Sequence, residues 1–389
     1  MTRKRGSARI GLAAALAVWA APAAAAPLPQ WDAAAARALV GAIAAAGADG
    51  LDPAHYDAAR IEAAIAAGDP AALARTATDA FRRLALDLSG GRVAAARRAG
   101  WHIPEAATDP AMIDAALDQA VATGRVGDTL AALAPRHPQY RALRAALAAT
   151  PAAAAARRET IRVNMERWRW LPRTLEARHL FVNIPGYTLD LVEGGRPAVR
   201  HRVIVGKAGT PTARFRTVAT AAIINPWWNV PASIVAESVG ALVRGRPAVA
   251  AARGYRWTRD GAGHLSVRQA PGPGNALGRM KLDMPNPFSI FIHDTPAKAL
   301  FARNARAFSH GCVRVDGALE LAAALTGRSR ADIDAVVASG ETERIAFPPL
   351  PVYVVYLTAV ADADGAVAVL PDIYGEDEAV AAALADQVG

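Results

Sequence analysis

The single cysteine of this 389-residue chain, Cys312, lies in the run Ser309-His310-Gly311-Cys312-Val313-Arg314. A second histidine, His293, precedes that run by fifteen intervening residues. A free thiol has a pKa near 8.5, so only a few per cent is thiolate at neutral pH. A histidine within hydrogen-bond reach can take the proton and release the nucleophile. Acyl transfer also needs donors for the developing oxyanion. A glycine before the nucleophile permits a tight turn that exposes successive backbone N–H groups. On this reading His293 is the base, Cys312 the nucleophile, and the Gly311–Cys312 backbone the oxyanion donor.

Blander readings compete. A lone cysteine is usually a small buried hydrophobe, and a lone histidine at a strand end is usually a structural hydrogen-bonder. The N-terminus shifts the balance. Arg3, Lys4, Arg5 and Arg9 precede an apolar run from Ile10 to Ala21, then Pro22 and small residues to Ala26. That is the order of a secretory signal peptide, expected over residues 1–25, with an uncleaved anchor as the alternative. The run is short for a membrane span of about 20 residues, so no stable span is expected after cleavage. Outside the cytoplasm a surplus thiol is an oxidation hazard, and one kept in a polar setting favours use. A zinc site of His293, His310 and Cys312 lacks a fourth ligand at motif spacing. Neither a metal nor another cofactor is expected.

The chain carries 44 Lys+Arg against 35 Asp+Glu, a net charge of +9. Only four of the basic residues are lysines. Removing a signal peptide with its four basic residues leaves +5, a mildly basic exported protein. No basic stripe interleaved with aromatics points to nucleic acid. One cysteine excludes an intrachain disulfide framework.

The elements that must hold these residues fall into two regions. Residues 27–158 are Ala-, Leu- and Arg-rich, with apolar residues at helical spacing such as Phe81, Leu84 and Leu88. They read as a helical scaffold domain ending with a helix over Tyr140–Ala149 and a hinge at Pro151–Ala156. Residues 159–177 read as a connecting helix and linker, stopped by Pro172. From 178 to 360 the runs His179–Ile184, Tyr187–Val192, Val199–Val205, Val218–Ile224, Phe288–Ile292 and Val352–Val360 read as strands. Two helices are expected, over Gly317–Leu325 and Arg330–Ala338. Residues 361–389 read as a C-terminal extension. The fold class is therefore α+β and multidomain: a helical scaffold, then a mostly β, sandwich-like domain carrying the chemistry.

The His293…Ser309-His310-Gly311-Cys312-x-Arg314 arrangement resembles the L,D-transpeptidase (YkuD) catalytic domain, whose signature is a histidine, about fifteen residues, then Ser/Thr-His-Gly-Cys. Further matches resemble its larger periplasmic subgroup that makes 3→3 peptidoglycan cross-links. They are Asn164–Pro172, Val182–Pro185, Val203–Gly206, Asn225–Pro231 and Arg268–Gly278. The likeness spans about Glu159–Tyr374, and looser matches occur at Leu88–Gly91 and Leu133–Leu147. Two departures stand out. Only Pro151–Arg158 occupies the place of the usual peptidoglycan-binding module, and Phe291 stands where the subgroup tends to have tyrosine.

The resemblance implies a periplasmic enzyme that forms a Cys312 thioester with the tetrapeptide stem of one peptidoglycan strand and passes it to the amine of another. It implies His293 as base, with its other nitrogen on the Asp294 carbonyl, and His310 at the oxyanion pocket or substrate. Ser309, Arg314, Trp228, Asn229 and Asp294 are the implied substrate contacts, Arg314 binding a stem carboxylate; the alternatives are a loop-holding salt bridge for Arg314, a core place for Trp228 with Trp227, and a structural role for the Asp294 side chain. The span Ala232–Gln269 is expected to form a flap over the cleft. Other cell-wall synthesis proteins are possible partners. Two rival functions stay open: a carboxypeptidase or cysteine peptidase that hydrolyses stems, and a non-catalytic cell-wall scaffold.

Overall fold

The computed structural model describes residues 28–98, 100–104 and 109–386. The expected signal peptide lies outside them. Helices Ala33–Ala45, Ala58–Ala67, Pro70–Gly90, Pro110–Thr123, Val126–Ala131 and Pro138–Ala149 build the first region. Their starts follow from local chemistry. Asp32, Asp69 and Asp109 accept the free N–H groups of the first turn, and Pro70, Pro110 and Pro138 open their helices. Leu39, Ile43, Phe81, Leu84, Leu117 and Leu130 meet in its core.

The next helix runs Ala155–Arg169, four residues earlier than the expected Glu159. The supposed hinge is corrected accordingly: alanine is the strongest helix former, so its Ala-rich end joins the helix. Trp170 caps it, two residues before Pro172. Its residues from Val163 to Arg169 are all buried, so it is a central strut packed on both regions.

The strands are β1 (Trp101–His102), β2 (His179–Asn183), β3 (Thr188–Glu193), β4 (Arg196–Gly206), β5 (Arg214–Ile224), β6 (Trp228–Asn229), β7 (Tyr255–Arg259), β8 (Leu265–Gln269), β9 (Met280–Asp283), β10 (Ile292–His293), β11 (Ala307–Ser309), β12 (Val313–Val315), β13 (Glu343–Val355), β14 (Ala359–Ala361) and β15 (Val367–Val369). The large sheet runs β1-β5-β13-β2-β3-β4-β12-β10-β9, and β9 pairs back onto β5. The expected two-layered β domain is thus one sheet closed on itself, which leaves no long free edge. Inside lie Val182, Leu189, Val203, Ile292, Val313 and Val354 with the helix Ala318–Thr326. Two strand expectations are corrected. Phe288–Ile292 shrinks to β10, because Asn286 accepts from the N–H groups of Phe288 and Ile290 and Ser289 takes a positive φ of 54°. Val352–Val360 is the end of β13, then a break, then β14.

The outer face of β13 and β2 is covered by the strut. Tyr353, Val355 and Leu357 pack with Tyr140, Leu143, Leu147, Met165 and Trp168, and the Trp168 and Phe181 rings stack at 6.1 Å. Residues after 360 are built into this assembly. The helix Asp377–Ala385 packs on the strut, with Arg167 Nη1 donating to Asp377 Oδ1 at 2.5 Å. Among the described residues no helix is long and apolar enough to cross a membrane.

His137 provides a pH test of this packing. Its ring stacks on Trp168 at 4.2 Å, and its Nδ1 accepts from the Gln139 N–H. Burial pushes its pKa down to about 4. The unfolded chain takes up a proton near the ordinary 6.5 while the folded chain does not. Stability is therefore full above about pH 6.5 and falls as pH drops toward 4, by on the order of 2 kcal/mol for one such group. Urea unfolding across that window should show the decline. His137→Phe, which keeps the stack, should flatten it; an unchanged slope would assign the effect to other groups.

Candidate active site

Parallel pairing of β10 with β12 sets Ile292 beside Val313 and His293 beside Arg314. Ile292 and Val313 point into the core, so strand alternation turns His293, Arg314 and the preceding Cys312 to the opposite face. Cys312 is then the diagonal neighbour of His293, a spacing of about 7–8 Å between such positions that long side chains bridge. β9 adds Lys281 beside His293 on the other side.

His293 is buried, 4% exposed. Its Nδ1 donates to the backbone carbonyl of Asp294 at 2.5 Å, which leaves Nε2 as the acceptor. Burial is the main force on it and pushes its pKa down to about 4, Arg314 acting the same way and the Asp294 and Leu277 carbonyls opposing. The imidazole is therefore neutral at neutral pH, as a base must be. Cys312 is partly exposed. Burial pushes its thiol up, while the Phe291 backbone, Arg314 and Lys281 pull it down. At rest the site holds a thiol, whose Sγ donates to the Ser289 carbonyl at 3.8 Å, and a neutral imidazole.

The loop around Cys312 is braced from within. The Ser309 hydroxyl donates to the Cys312 carbonyl at 2.6 Å and accepts from the Gly311 N–H at 3.1 Å. This corrects two expectations. Ser309 is 1% exposed and holds the turn, so it does not face substrate. The Gly311 N–H is already engaged, which leaves the Cys312 N–H as the backbone donor for an oxyanion. Gly311 supplies what the turn needs, a φ of +113°. From the other side Thr212 accepts from the Gly206 N–H and donates to the Gly311 carbonyl at 2.8 Å. Gly206 must be glycine, since a Cβ there would come within 2.2 Å of the Thr210 carbonyl.

Asp294 also departs from its expected substrate role. Its carboxylate accepts from the Arg279 N–H at 2.8 Å and pairs with Lys298. It sits against Gly278, where a Cβ would lie 2.4 Å from its Oδ2. Its side chain anchors the loop before β9 while its carbonyl orients His293. Arg314 stays available: among the described residues it has no ion pair, and its buried Nε has no partner.

The expected flap exists as a small subdomain. Helical turns over 232–252 and the sheet β6-β8-β7 enclose Val230, Val235, Val239, Val243, Ala250 and Val267. Trp228 packs against this core and Asn229 is exposed on the same sheet. The structure thus places both in the flap. Within the flap, Glu237 reaches down from a π-helical turn, Val235–Val239, to His310 Nε2 at 3.1 Å. His310 is half-exposed and faces the flap, so its expected place at the oxyanion is replaced by a flap contact. Thr212, Glu237 and Lys281 went unnoticed in the sequence. Only Lys281 left a signal there, as one of four lysines in an arginine-dominated chain. Among the described residues no group of three or more His, Cys, Asp or Glu is placed to hold a metal ion.

Residues 177–345 match the L,D-transpeptidase catalytic domain of the YkuD family. That segment is thus similar to a YkuD L,D-transpeptidase catalytic domain. Residues 26–147 match a family described as a scaffold domain, so a scaffold-like region precedes the segment similar to the catalytic domain. A Haemophilus influenzae protein provisionally named an L,D-transpeptidase is 31% identical over 243 residues, 57% of this chain and 49% of that one. The chain thus spans about half the length of the curated relative it matches. Among solved structures, an L,D-transpeptidase from Mycobacterium smegmatis aligns at 13% identity and a TM-score of 0.26, over 46% of this chain and 58% of that one. The catalytic domain of the E. faecium L,D-transpeptidase acylated by ertapenem aligns at 12% identity and a TM-score of 0.22, over 47% of this chain and 99% of that one.

Proposed function

We propose that this protein is an L,D-transpeptidase that forms 3→3 cross-links between peptidoglycan stem peptides in the periplasm, after a signal peptide at residues 1–25 is removed. The observation that carries the reading is the buried, neutral His293, tautomer fixed by the Asp294 carbonyl, diagonal to the only thiol of the chain. Nε2 of His293 accepts the Cys312 proton as Sγ attacks the carbonyl of the third, L-centred residue of a tetrapeptide. The Cys312 N–H faces the developing oxyanion. His293 returns the proton to the departing D-alanine amine, and a thioester remains. The side-chain amine of a second stem then attacks; its proton passes through His293 and the thiol is restored. Arg314, a cation without an acid, suits a stem carboxylate. A flap in contact with the catalytic loop favours aminolysis, because excluding water slows hydrolysis of the thioester. Other cell-wall synthesis proteins are proposed partners of the scaffold domain; nucleic acid is not.

Mass spectrometry of muropeptides after incubation of mature protein with disaccharide-tetrapeptide tests this. Dimers linked between third residues, absent with Cys312→Ala, are expected. Tripeptide without dimer would make it a carboxypeptidase. No product, and no acylation by a carbapenem, would leave only a scaffold.

A further inference from the structure

The neighbourhood of Cys312 holds a second cation with no acid of its own. Lys281 faces His293 across the β9–β10 pair, and Arg314 faces it across β10–β12. One rung of three strands therefore reads Lys281–His293–Arg314, with the two cations roughly 10 Å apart at the backbone. Lys281 is half-buried, and its ammonium sits 3.8 Å from the centre of the Phe291 ring, one residue before β10. Lys281 and Cys312 each act electrostatically on the other. Among the described residues neither Lys281 nor Arg314 has an ion pair or a side-chain hydrogen bond. Asp283, two residues along β9, acts on Lys281 more than Cys312 does, but it makes no ion pair with it and is bound instead by Arg344 at 2.8 Å. Lys298, by contrast, is tied to Asp294.

Half-burying an ammonium costs solvation, and a ring face returns only part of it. A carboxylate arriving in this gap would restore the balance. Resting on the proposed transpeptidation, we infer that Lys281 is a specificity-determining residue that binds the free terminal carboxylate of the acyl donor. In a donor that ends one residue beyond the scissile bond, that carboxyl carbon is three bonds from the carbonyl under attack. It therefore lies beside Sγ, on which Arg314 and Lys281 both act; we assign it to Lys281 on the β9 side of His293 and leave Arg314, on the β12 side, for a second carboxylate. The site then selects donors whose leaving group is a single amino acid with a free carboxylate. It disfavours donors whose leaving group is amidated or extended.

Two alkylators separate this from other roles. Iodoacetate and iodoacetamide both react by attack of Sγ on the methylene carbon with loss of iodide, and they differ in one negative charge. The wild-type ratio of iodoacetate to iodoacetamide rates should fall about three- to tenfold in Lys281→Met, stay near wild type in Lys281→Arg, and fall with added salt in the unmodified protein. Equal loss of both rates would reduce Lys281 to a tuner of thiol ionisation and overturn the inference. So would an unchanged ratio. The salt series needs no variant, so a misfolded Lys281→Met cannot hide the answer. With peptide donors, Lys281→Met should raise KM for a tetrapeptide acid while leaving KM for its C-terminal amide unchanged. Because alkylation requires no transpeptidation, failure of the proposed reaction and failure of this assignment give different results.

Discussion

Alanine at His293 should slow acylation of Cys312 by roughly 10²–10⁴-fold at neutral pH, the usual worth of a positioned general base. The pH profile carries the sharper expectation. In the wild-type protein His293 is neutral above its pKa of about 4, so the base is available throughout the neutral range and is lost only as pH falls through 4. In His293→Ala, reaction follows the thiol alone. Burial holds that thiol above its ordinary range, so alkylation should keep rising beyond about pH 8.5. Cys312→Ser should abolish the acyl-enzyme, since a hydroxyl is far harder to ionise at this site. The double variant should be no worse than Cys312→Ser, because residues that act as one unit lose their function once. His310→Ala should behave differently: small alkylators should still label the thiol, because His310 faces Glu237 and not the thiol's proton. Wild-type cross-linking by His293→Ala at pH 7 would remove it as the base.

The second large effect belongs to stability. Glu166 is fully buried in the strut. Its Oε1 accepts from the Val93 N–H at 2.8 Å and the Trp170 indole at 3.0 Å, and its Oε2 from Arg169 at 2.9 Å. Arg169 also donates to the Tyr140 hydroxyl at 2.9 Å and to the Asp49 carbonyl. One carboxylate thus ties the strut to the scaffold domain, through a backbone so close that Gly91 has no room for a Cβ beside it. Glu166→Ala should destabilise by about 3–5 kcal/mol, because it strands a buried guanidinium and two N–H groups. Against a total stability of about 5–15 kcal/mol, that is a large share of the folded margin, to be read as a markedly lower urea midpoint. Glu166→Gln, which keeps the acceptor, should lose less. Expressing residues 178–389 alone should fail, since Tyr353, Val355 and Leu357 would face water. A soluble, active fragment would show that the strut is dispensable.

What could be read in the sequence was local chemistry. Cys312 behind His-Gly and His293 at a strand end are intelligible from residue type and spacing, and the Asp294 carbonyl contact is what the family resemblance implied. Alternation likewise revealed β2, β3 and the ends of β4 and β5. The misreadings have physical causes. Phe288–Ile292 has strand composition, but Asn286 folds it into a turn. Asn286 and Ser289 were the residues that carried that information. The Ala-rich stretch before Glu159 looked like low-complexity linker, and its end from Ala155 is helix. The Gly311 N–H, which spacing suggested was free, is taken by a serine hydroxyl whose rotamer no sequence records. Contacts between distant segments were silent: His310 with Glu237 lies 73 residues away, and Lys281 reaches the site only because β9 pairs with β10.

The helix Asp377–Ala385 alters the order in which the molecule can be finished. It fills a pocket with Val93, Val163 and Trp170 through Val380, Ala383 and Leu384, and Arg92 donates to the carbonyls of Leu384 and Asp386. Those partners are separated by 292 and 294 residues. The part of the scaffold–strut contact that this helix covers therefore stays open until nearly the whole described chain has been made. A nascent chain at that stage has no closed native state to fall into, and long-range closure is slow. The helix Asp377–Ala385 is thus the piece that completes a cluster the scaffold and the strut leave open between them.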